Sequence, residues 1–320
     1  MPIDDLRALI DRHADRPGLP IEGVQLTKIR EPTEPHSSVA EPIFVLVAQG
    51  SKRVGLGDRS YEYGAGQYLV VSVDLPISGN FAEPSPERPF LAFGLRLRPA
   101  AIAALLLETA VDERSRGAAA RGPRTGPTGP TGIAVSEADE DLLDAVVRLL
   151  RLLDRPADLP VLAPLLLKEI LWRLVTGAQG PIVRQIGLAD SSLSHIGHSI
   201  RWIREHYAES LRIEDLARLS SMSVSSFHRH FRAVTAITPI QFQKHIRLHE
   251  ARTRLLGQES TVAEVGLAVG YDSASQFTRE YRRYFGLPPG QDTVRLRESV
   301  QRARRARLPG DLTRLTRLTR

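Results

Sequence analysis

Two different patterns of apolar and polar residues divide the chain. From Ile21 to Leu97, short runs of β-branched and aromatic residues such as Ile43–Val47 alternate with turn clusters such as Gly64–Gly66. Short strands at this spacing predict a β-sandwich or barrel over about residues 21–100. After Pro99 the runs become rich in leucine and alanine, which predicts helices.

Two strongly apolar helices are predicted between residues 136 and 175. Ser136 and Asp139 resemble a capping pair for the first helix, and the second is predicted over Ala157–Val175. The Gly, Pro and Thr repeats of Gly117–Gly132 predict a mobile loop. Helices this apolar either pack within their own domain or form a dimer interface, since twofold dimers are the commonest oligomers.

An internal repeat follows a predicted linker at residues 178–194. The segment near Ser223 recurs near Ser273 at an offset of 50 residues, whereas the preceding helices align at an offset of 49, with Leu216 against Val265. The second turn is therefore predicted to hold one extra residue. Each copy is predicted to form a helix, a tight turn and a second helix.

The second helix of each copy has a polar stripe opposite an apolar face. The apolar face is predicted to consist of Val224, Phe227, Phe231 and Val234 in copy one and of Phe277, Tyr281 and Tyr284 in copy two. The polar stripe consists of Ser225, His228, Arg229 and Arg232 in copy one and of Ser275, Thr278, Arg279 and Arg282 in copy two. Residues at i, i+3, i+4 and i+7 share one side of a helix.

Arginine is the side chain that most often recognises guanine in the major groove. We therefore interpret Arg229 and Arg279 as base-reading residues, and Arg232 and Arg282, one turn further on, as phosphate-binding residues. One helix is predicted between the copies, from Pro239 to about Leu256. Roughly 18 residues span about 27 Å, comparable to the roughly 34 Å between successive major-groove faces. One chain is thus predicted to read two adjacent groove segments.

Charge is distributed unevenly along the chain. Residues 195–320 contain 22 Lys and Arg against 12 Asp and Glu, a net charge of +10, whereas residues 1–194 contain 21 against 25, a net charge of −4. A basic half that carries a duplicated arginine stripe predicts binding to double-stranded DNA. The basic residues of 293–320 are predicted to form a disordered tail with weak phosphate contacts.

Several other classes of chemistry find no support in the sequence. No cysteine is present, which excludes disulfides, thiolate metal sites and a cysteine nucleophile. The phosphate-loop, nucleophile-elbow and His-Glu-x-x-His patterns are missing, so we predict neither an enzyme nor a cofactor. A metal-dependent barrel would need clustered ligands, and the strand region offers only His36. His228 and His230 point to different sides of their helix.

Targeting signals are also missing from the sequence. The acidic start, Met1–Arg7, lacks the basic and apolar regions of a secretory signal. The longest apolar stretch, Leu159–Leu167, is interrupted by prolines and is too short to span a bilayer. We predict a cytoplasmic protein.

The C-terminal third is similar to the AraC-type family of transcription regulators. The segments that carry this similarity are Arg212–Ala217, Met222–Phe231, Thr238–Phe242, Val269–Tyr281 and Phe285–Pro289. The resemblance implies DNA-facing positions at Ser225, His228 and Arg229 in the first unit and at Ser275, Gln276, Thr278 and Arg279 in the second. Residues 21–175 resemble the cupin-like N-terminal region of one subgroup, with landmarks at Leu159–Leu165 and Leu174–Gly180.

The resemblance implies an α+β protein of several domains. Residues 1–177 are expected to form a cupin-like β-barrel sensor with dimerisation helices, and residues 195–292 an all-α domain with two helix-turn-helix units. A small-molecule effector and a homodimer are expected, and RNA polymerase is a further candidate partner. Two alternatives stay open: a sensor domain that only dimerises, and a helical scaffold that does not bind DNA.

Neither the effector, the operator nor the sign of regulation follows from the sequence. Six aromatic residues are candidates for lining a sensor pocket, with core packing as the other role: Phe44, Tyr61, Tyr63, Tyr68, Phe81 and Phe93.

Overall fold

The computed structural model describes residues 2–16, 18–32, 36–115, 132–188, 191–257 and 261–307. The chain divides into two compact units. Unit 1 comprises Met1–His206 and Leu211–Gln243, and unit 2 comprises Tyr207–Ser210 and Lys244–Arg320. This division does not coincide with the linker predicted at 178–194.

Two antiparallel sheets form the N-terminal part of unit 1, which confirms the predicted β-rich domain. Their strands, within the described residues, are β1 (Val24–Ile29), β2 (His36–Ala40), β3 (Ile43–Gln49), β4 (Ser51–Leu56), β5 (Arg59–Gly64), β6 (Gln67–Val71), β7 (Leu75–Phe81), β8 (Phe90–Arg96) and β9 (Ile133–Glu137). The larger sheet has the order β1-β8-β3-β6-β9 and the smaller one β2-β7-β4-β5. Strand β9, which was not predicted, pairs with β6 and completes one edge.

Both faces of the larger sheet are covered. Ile43 and Val45 face a cavity between the two sheets, and since side chains alternate along a strand, Phe44 lies on the opposite face. There the Phe44 ring packs 5.3 Å from Tyr68 and 6.2 Å from Phe93. Among the six candidate pocket aromatics, only Tyr63 and Phe81 line this cavity; Phe90, which was not a candidate, also does.

Eight helices of the described chain lie in unit 1: α1 (Pro2–His13), α2 (Pro99–Ser115), α3 (Glu140–Arg151), α4 (Leu159–Thr176), α5 (Gly180–Gly187), α6 (Ser192–Glu205), α7 (Ile213–Leu219) and α8 (Val224–Thr235). A short 3₁₀ helix, Leu152–Asp154, follows α3. Helix α9 (Pro239–Gly257) begins in unit 1 and continues into unit 2, which also contains α10 (Val262–Ala268), α11 (Ala274–Phe285) and α12 (Pro289–Arg307). Helix α1 buries Leu6, Leu9 and Ile10 and packs on β1, β3 and β8.

The structure corrects several local predictions. Ser136 does not cap α3, because it lies in β9; the N-cap is Asp139, whose side chain accepts a hydrogen bond from the Leu142 amide at 2.8 Å. Helix α5 occupies much of the predicted linker. Residues 293–307 are helical, so the disorder predicted for them is wrong. Residues 308–320, and 117–131 of the predicted loop, lie outside the described residues.

Candidate nucleic-acid interface

The first helix-turn-helix consists of α7, residues 220–223 and α8. Ser223 caps α8 by accepting a hydrogen bond from the Ser226 amide at 3.3 Å, and Ala236 ends the helix with a left-handed φ of 62°. Phe227 and Phe231 on its inner face are fully buried. Val224 is 41% exposed, so its predicted place on the apolar face is wrong, because it begins the helix at the surface.

The second helix-turn-helix consists of α10, residues 269–273 and α11. Its turn has five residues against four in the first unit, which confirms the extra residue. The cap repeats, since Ser273 accepts a hydrogen bond from the Gln276 amide at 3.2 Å. Gly286, at the position of Ala236, is also left-handed, with a φ of 83°. Matching caps at both ends give the two helices the same length.

Close packing orients α11 on α10. Phe277 lies against Gly266, where a Cβ atom would come within 2.9 Å of the Phe277 ring, so a larger residue there would separate the two helices. Buried Leu248, Ala251, Leu255, Val265, Val269, Tyr271, Phe277 and Tyr281 form the core of unit 2.

A buried glutamate ties α11 to its neighbours. Glu280 accepts hydrogen bonds from Lys244 Nζ at 2.9 Å and from the Tyr271 hydroxyl at 3.2 Å. Burial alone would raise the pKa of Glu280, but these donors and the charge of Lys244 hold that pKa below its ordinary value. The carboxylate therefore stays ionised and fixes the inner side of α11.

A second buried carboxylate joins three elements of unit 2. Asp292, on α12, is fully buried and receives two hydrogen bonds from Arg252, at 2.8 and 3.1 Å. Tyr281 donates to it at 2.8 Å, and Arg295 at 2.9 Å. Burial and the Asp292 carboxylate raise the pKa of Tyr281, so its phenol remains a donor. Contacts on the buried face of α11 therefore fix the orientation of the exposed face of the same helix.

The predicted stripes lie at the surface of their helices. Ser225, His228, Arg229 and Arg232 on α8, and Ser275, Arg279 and Arg282 on α11, are exposed, while Gln276 and Thr278 are half-buried. Within the described residues, the four arginines of these stripes form no ion pair with a carboxylate. A shallow surface depression on α11 is lined by Ser275, Thr278, Arg279 and Arg282, together with Ala274, Arg283, Gly286 and Pro288.

Three side chains on or beside the predicted polar stripes need separate description. Gln276 Nε2 donates to Glu280 Oε1 at 3.5 Å, so its amide is directed partly along the helix. His230 is half-buried, with Nδ1 2.8 Å from the Ser226 carbonyl oxygen, which agrees with a packing role. Arg283, exposed beside Arg282, was missed because it lies outside the i, i+3, i+4, i+7 positions.

The first helix-turn-helix contacts the β domain within unit 1. On α8, the Val234 carbonyl accepts a hydrogen bond from the Gly132 amide at 3.1 Å. Arg204 on α6, the helix that precedes this unit, forms an ion pair with Asp74 at 2.5 Å. The β4–β5 turn reaches the end of α8: a Cβ atom on Gly57 would lie 3.1 Å from that of Ala236. The C-terminal end of α8 is therefore fixed to this domain.

The part of the chain that the structure describes contains neither a cluster of metal-ligating side chains nor a membrane-spanning helix. Its His, Asp and Glu side chains form no group of three or more placed to hold a metal ion. None of its described helices is long and apolar enough to cross a membrane.

A β domain followed by two helix-turn-helix units, each with an exposed arginine stripe, defines a helix-turn-helix regulator. The family model described as AraC-type transcriptional regulator N-terminus matches residues 20–182, slightly more than half of the 320 residues. A second model, described as a helix-turn-helix domain, matches residues 216–293. The chain belongs to the AraC-type transcription regulators.

Curated relatives share part of the chain. The HTH-type transcriptional regulator ExsA of Pseudomonas aeruginosa is 27% identical over 132 residues, which cover 41% of this chain and 47% of ExsA. The MmsAB operon regulatory protein of the same species is 35% identical over 97 residues, covering 30% of this chain and 32% of the relative. The matched segments thus span about half or less of these proteins.

Solved structures share the fold over most of the chain. Unsaturated fatty acid-bound ToxT from Vibrio cholerae covers 87% of this chain and 96% of its own, with a TM-score of 0.50 and 8% identity. At this identity, the similarity shows the fold alone.

Proposed function

We propose that this regulator binds a specific DNA sequence by inserting α8 and α11 into major-groove segments. The observation that carries the proposal is the matching placement of unpaired, exposed arginines on two helices whose opposite faces are buried. These arginines have no carboxylate partner within the described residues, and DNA phosphates and base edges would supply acceptors for them.

The two arginines of each stripe have different roles in this proposal. Arg229 and Arg279 read base edges, whereas Arg232 and Arg282, one turn further on, bind phosphate. The other contacts come from Ser225 and His228 on α8 and from Ser275, Gln276 and Thr278 on α11.

Selection of duplex DNA from a random pool by the full-length protein tests the proposal. We expect enrichment of a motif with two blocks about one helical turn apart. The double variant Arg229→Ala, Arg279→Ala should lose the enrichment. Arg53→Ala, which removes one arginine from an exposed, Glu62-paired position in the β domain, should retain it. Salt-sensitive binding without an enriched motif would contradict sequence recognition and leave only phosphate binding.

Single variants separate the two roles. Arg279→Ala should cost about 1 to 3 kcal/mol on the selected site and relax the preference at one base pair. Arg282→Ala should weaken binding to all sequences alike and reduce the salt dependence. Titration of selected and scrambled duplexes at two salt concentrations measures both effects. Equal losses for both variants on both duplexes would contradict the assignment.

We further infer that a small-molecule effector binds in the N-terminal domain and acts on the DNA-binding units. The cavity between the two sheets, about 380 Å³, is the candidate site. The contacts of Gly132 and Gly57 with the C-terminal end of α8, together with the ion pair of Asp74 and Arg204 on α6, provide a route from this domain to α8. An effector changes regulation only if it binds two states of the protein with different affinity.

We also infer that α4 forms the interface of a homodimer. Its outer face carries Val161, Leu165 and Trp172, which are 67%, 61% and 39% exposed and lie on one side of the helix. Two charged neighbours on this helix are already paired, Lys168 with Glu108 and Arg173 with Asp141. If a second copy packed the same face against this one, apolar surface would be buried. The interface would not bury an unpaired charge from Lys168 or Arg173, because both are already paired.

Sedimentation of the full-length protein tests the dimer. Leu165→Glu should convert the dimer into a monomer. Leu267→Glu makes the same change at a leucine of unit 2 that is 58% exposed, and it should remain dimeric. A monomeric wild-type protein at micromolar concentration would contradict the inference.

A further inference from the structure

One lysine points into the cavity between the two sheets. Along β4, the buried residues Val54 and Leu56 alternate with Arg53, which is exposed on the outer face. Lys52 is two residues from Val54 and therefore lies on the same face of the strand. It lines the cavity together with Val54 and Tyr63. A cation on the inward face of a strand breaks the alternation that the rest of β4 obeys.

The position of Lys52 is fixed by its neighbours in the sheet. Phe81 on β7 and Tyr63 on β5 pair with it in register, one on each side. Its Nζ lies 5.0 Å from the centroid of the Phe81 ring, a cation–π contact. Gly79 leaves room for the lysine stem, since a Cβ atom there would come within 3.2 Å of Lys52 Cε.

No carboxylate of the described residues balances the charge of Lys52. Within the described residues, no Asp or Glu oxygen lies within 4.0 Å of Lys52 Nζ, and no protein acceptor hydrogen bonds to it. Glu41, an acidic residue of the lining, forms an ion pair with Arg96 at 3.1 Å. Burial lowers the pKa of Lys52. Lys52 is half-buried, and partial removal of an ammonium group from water without an anion is costly, so a ligand that supplied the anion would gain affinity at this point.

The remaining wall is part apolar and part polar. Leu69, Val71, Ile77, Phe90 and Ala92 are among its apolar residues, Gln25, Thr27 and Ser38 are uncharged polar residues, and Tyr63 contributes a phenol. Burial raises the pKa of Tyr63, so its hydroxyl stays protonated and can donate to an anion. A ligand with one anionic group for Lys52 and an apolar body for these aliphatic and aromatic side chains would fit this space.

We propose that the cavity binds a monocarboxylate with an apolar chain or ring, and that Lys52 binds its carboxylate. This inference rests on the proposed effector function and names the chemical class of the effector. Other anions are less suited, because a doubly charged phosphate would leave one charge uncompensated beside a single lysine.

Calorimetric titration of the full-length protein with octanoate tests the proposal. Octanoate should bind the wild-type protein at least tenfold more tightly than 1-octanol, which has the same chain and no charge. Lys52→Met, which keeps the stem and removes the charge, should weaken octanoate at least tenfold and abolish the preference over octanol. Arg53→Met removes the neighbouring charge from the outer face of the same strand and should bind octanoate as the wild type does.

The melting temperature and the DNA binding of Lys52→Met show whether a negative result contradicts the ligand class or the proposed function. Lys52→Met should melt at the same temperature as the wild type or higher, because it removes a half-buried charge that has no carboxylate partner; loss of binding then does not reflect unfolding. Without ligand, Lys52→Met should bind the selected duplex like the wild type. Normal DNA binding with no octanoate preference, or equal octanoate affinity in Lys52→Met, would overturn this inference alone. Failure of the wild type to select DNA would overturn the proposed function instead.

Discussion

The two helix-turn-helix units have the same pattern of residues but are stabilised by different cores. At an offset of 50 residues, Phe242 of the first unit corresponds to Asp292 of the second, and both are fully buried. Phe242 packs edge-on against Phe231, with ring centroids 5.6 Å apart. Asp292 instead accepts hydrogen bonds from Arg252 and Tyr281. A matching polar stripe therefore does not imply a matching interior.

The largest effect is expected at this pair of positions. Asp292→Asn keeps the shape but leaves Arg252 without a carboxylate, and breaking such a buried pair costs about 3 to 5 kcal/mol. Phe242→Leu keeps an apolar side chain and should cost less, whereas Phe242→Ala should cost about 3 to 5 kcal/mol through the cavity it leaves. Conservative replacement should thus be tolerated in the first unit and not in the second.

Local opening can be measured because the chain contains no cysteine. A cysteine placed at buried Ala217 reports on the first unit and one at buried Ala251 on the second. Thiol labelling rates, divided by the rate of a free peptide thiol at the same pH, give the free energy of opening of each unit. Asp292→Asn should raise labelling at 251 and leave labelling at 217 nearly unchanged. Equal costs for Asp292→Asn and Phe242→Leu would refute the contrast.

The second largest expected effect is a loss of stability at low pH that is greater around the second helix-turn-helix than around the first. His245 and His249 on α9 are half-buried beside Tyr284. Burial lowers the pKa of each to about 4; the charge of Arg283 adds to this at His245, and that of His245 adds to it at His249. In the unfolded chain a histidine takes up its proton near pH 6.5. Between about pH 6.5 and 4 the unfolded state therefore binds more protons, so the free energy of unfolding falls as the pH falls.

The expected slope is at most about 1.4 kcal/mol per pH unit for each histidine. Labelling at position 251 should accelerate between pH 7 and 5 by more than labelling at 217. The variant His245→Asn, His249→Asn should flatten this dependence. An unchanged slope in that variant would show that other groups cause the acid sensitivity.

The sequence predicted those features that depend on local periodicity. The short strands, the apolar helices between residues 136 and 175 and the duplicated helix-turn-helix all repeat at the periods of their elements. The extra residue of the second turn was visible as a change of offset. Helix α1 was not predicted, although Leu6, Leu9 and Ile10 have helical spacing after Asp4 and Asp5.

Features that depend on long-range contacts could not be predicted in this way. Strand β9 pairs with β6 across more than sixty residues, so nothing near Ile133 indicates its partner. The ionic core around Asp292 depends on Arg252, forty residues away. The inward position of Lys52 was not predicted either, because it follows from the alternation of β4 only once the register of that strand is known. Whether the predicted stripes contact DNA remains a proposal.

The smallest expected effect concerns the residue that ends each recognition helix. Gly286 is left-handed, and a Cβ atom there would contact nothing within 4 Å. Gly286→Ala should therefore destabilise unit 2 by about 1 kcal/mol through backbone strain alone. Ala236 already accepts this strain in the first unit and buries its methyl group. Ala236→Gly should thus be nearly neutral, because the relief of strain offsets the loss of about 0.8 kcal/mol of burial.

Gly290 provides the matched control for this prediction. It lies in the first turn of α12, its Cβ position is equally open, and its φ is negative. Gly290→Ala should stabilise unit 2 by about 0.5 to 1 kcal/mol, because alanine loses less conformational entropy in a helix. The same chemical change, four residues apart, should therefore move thiol labelling at position 251 in opposite directions. Changes of the same sign would mean that φ at Gly286 does not determine the end of α11.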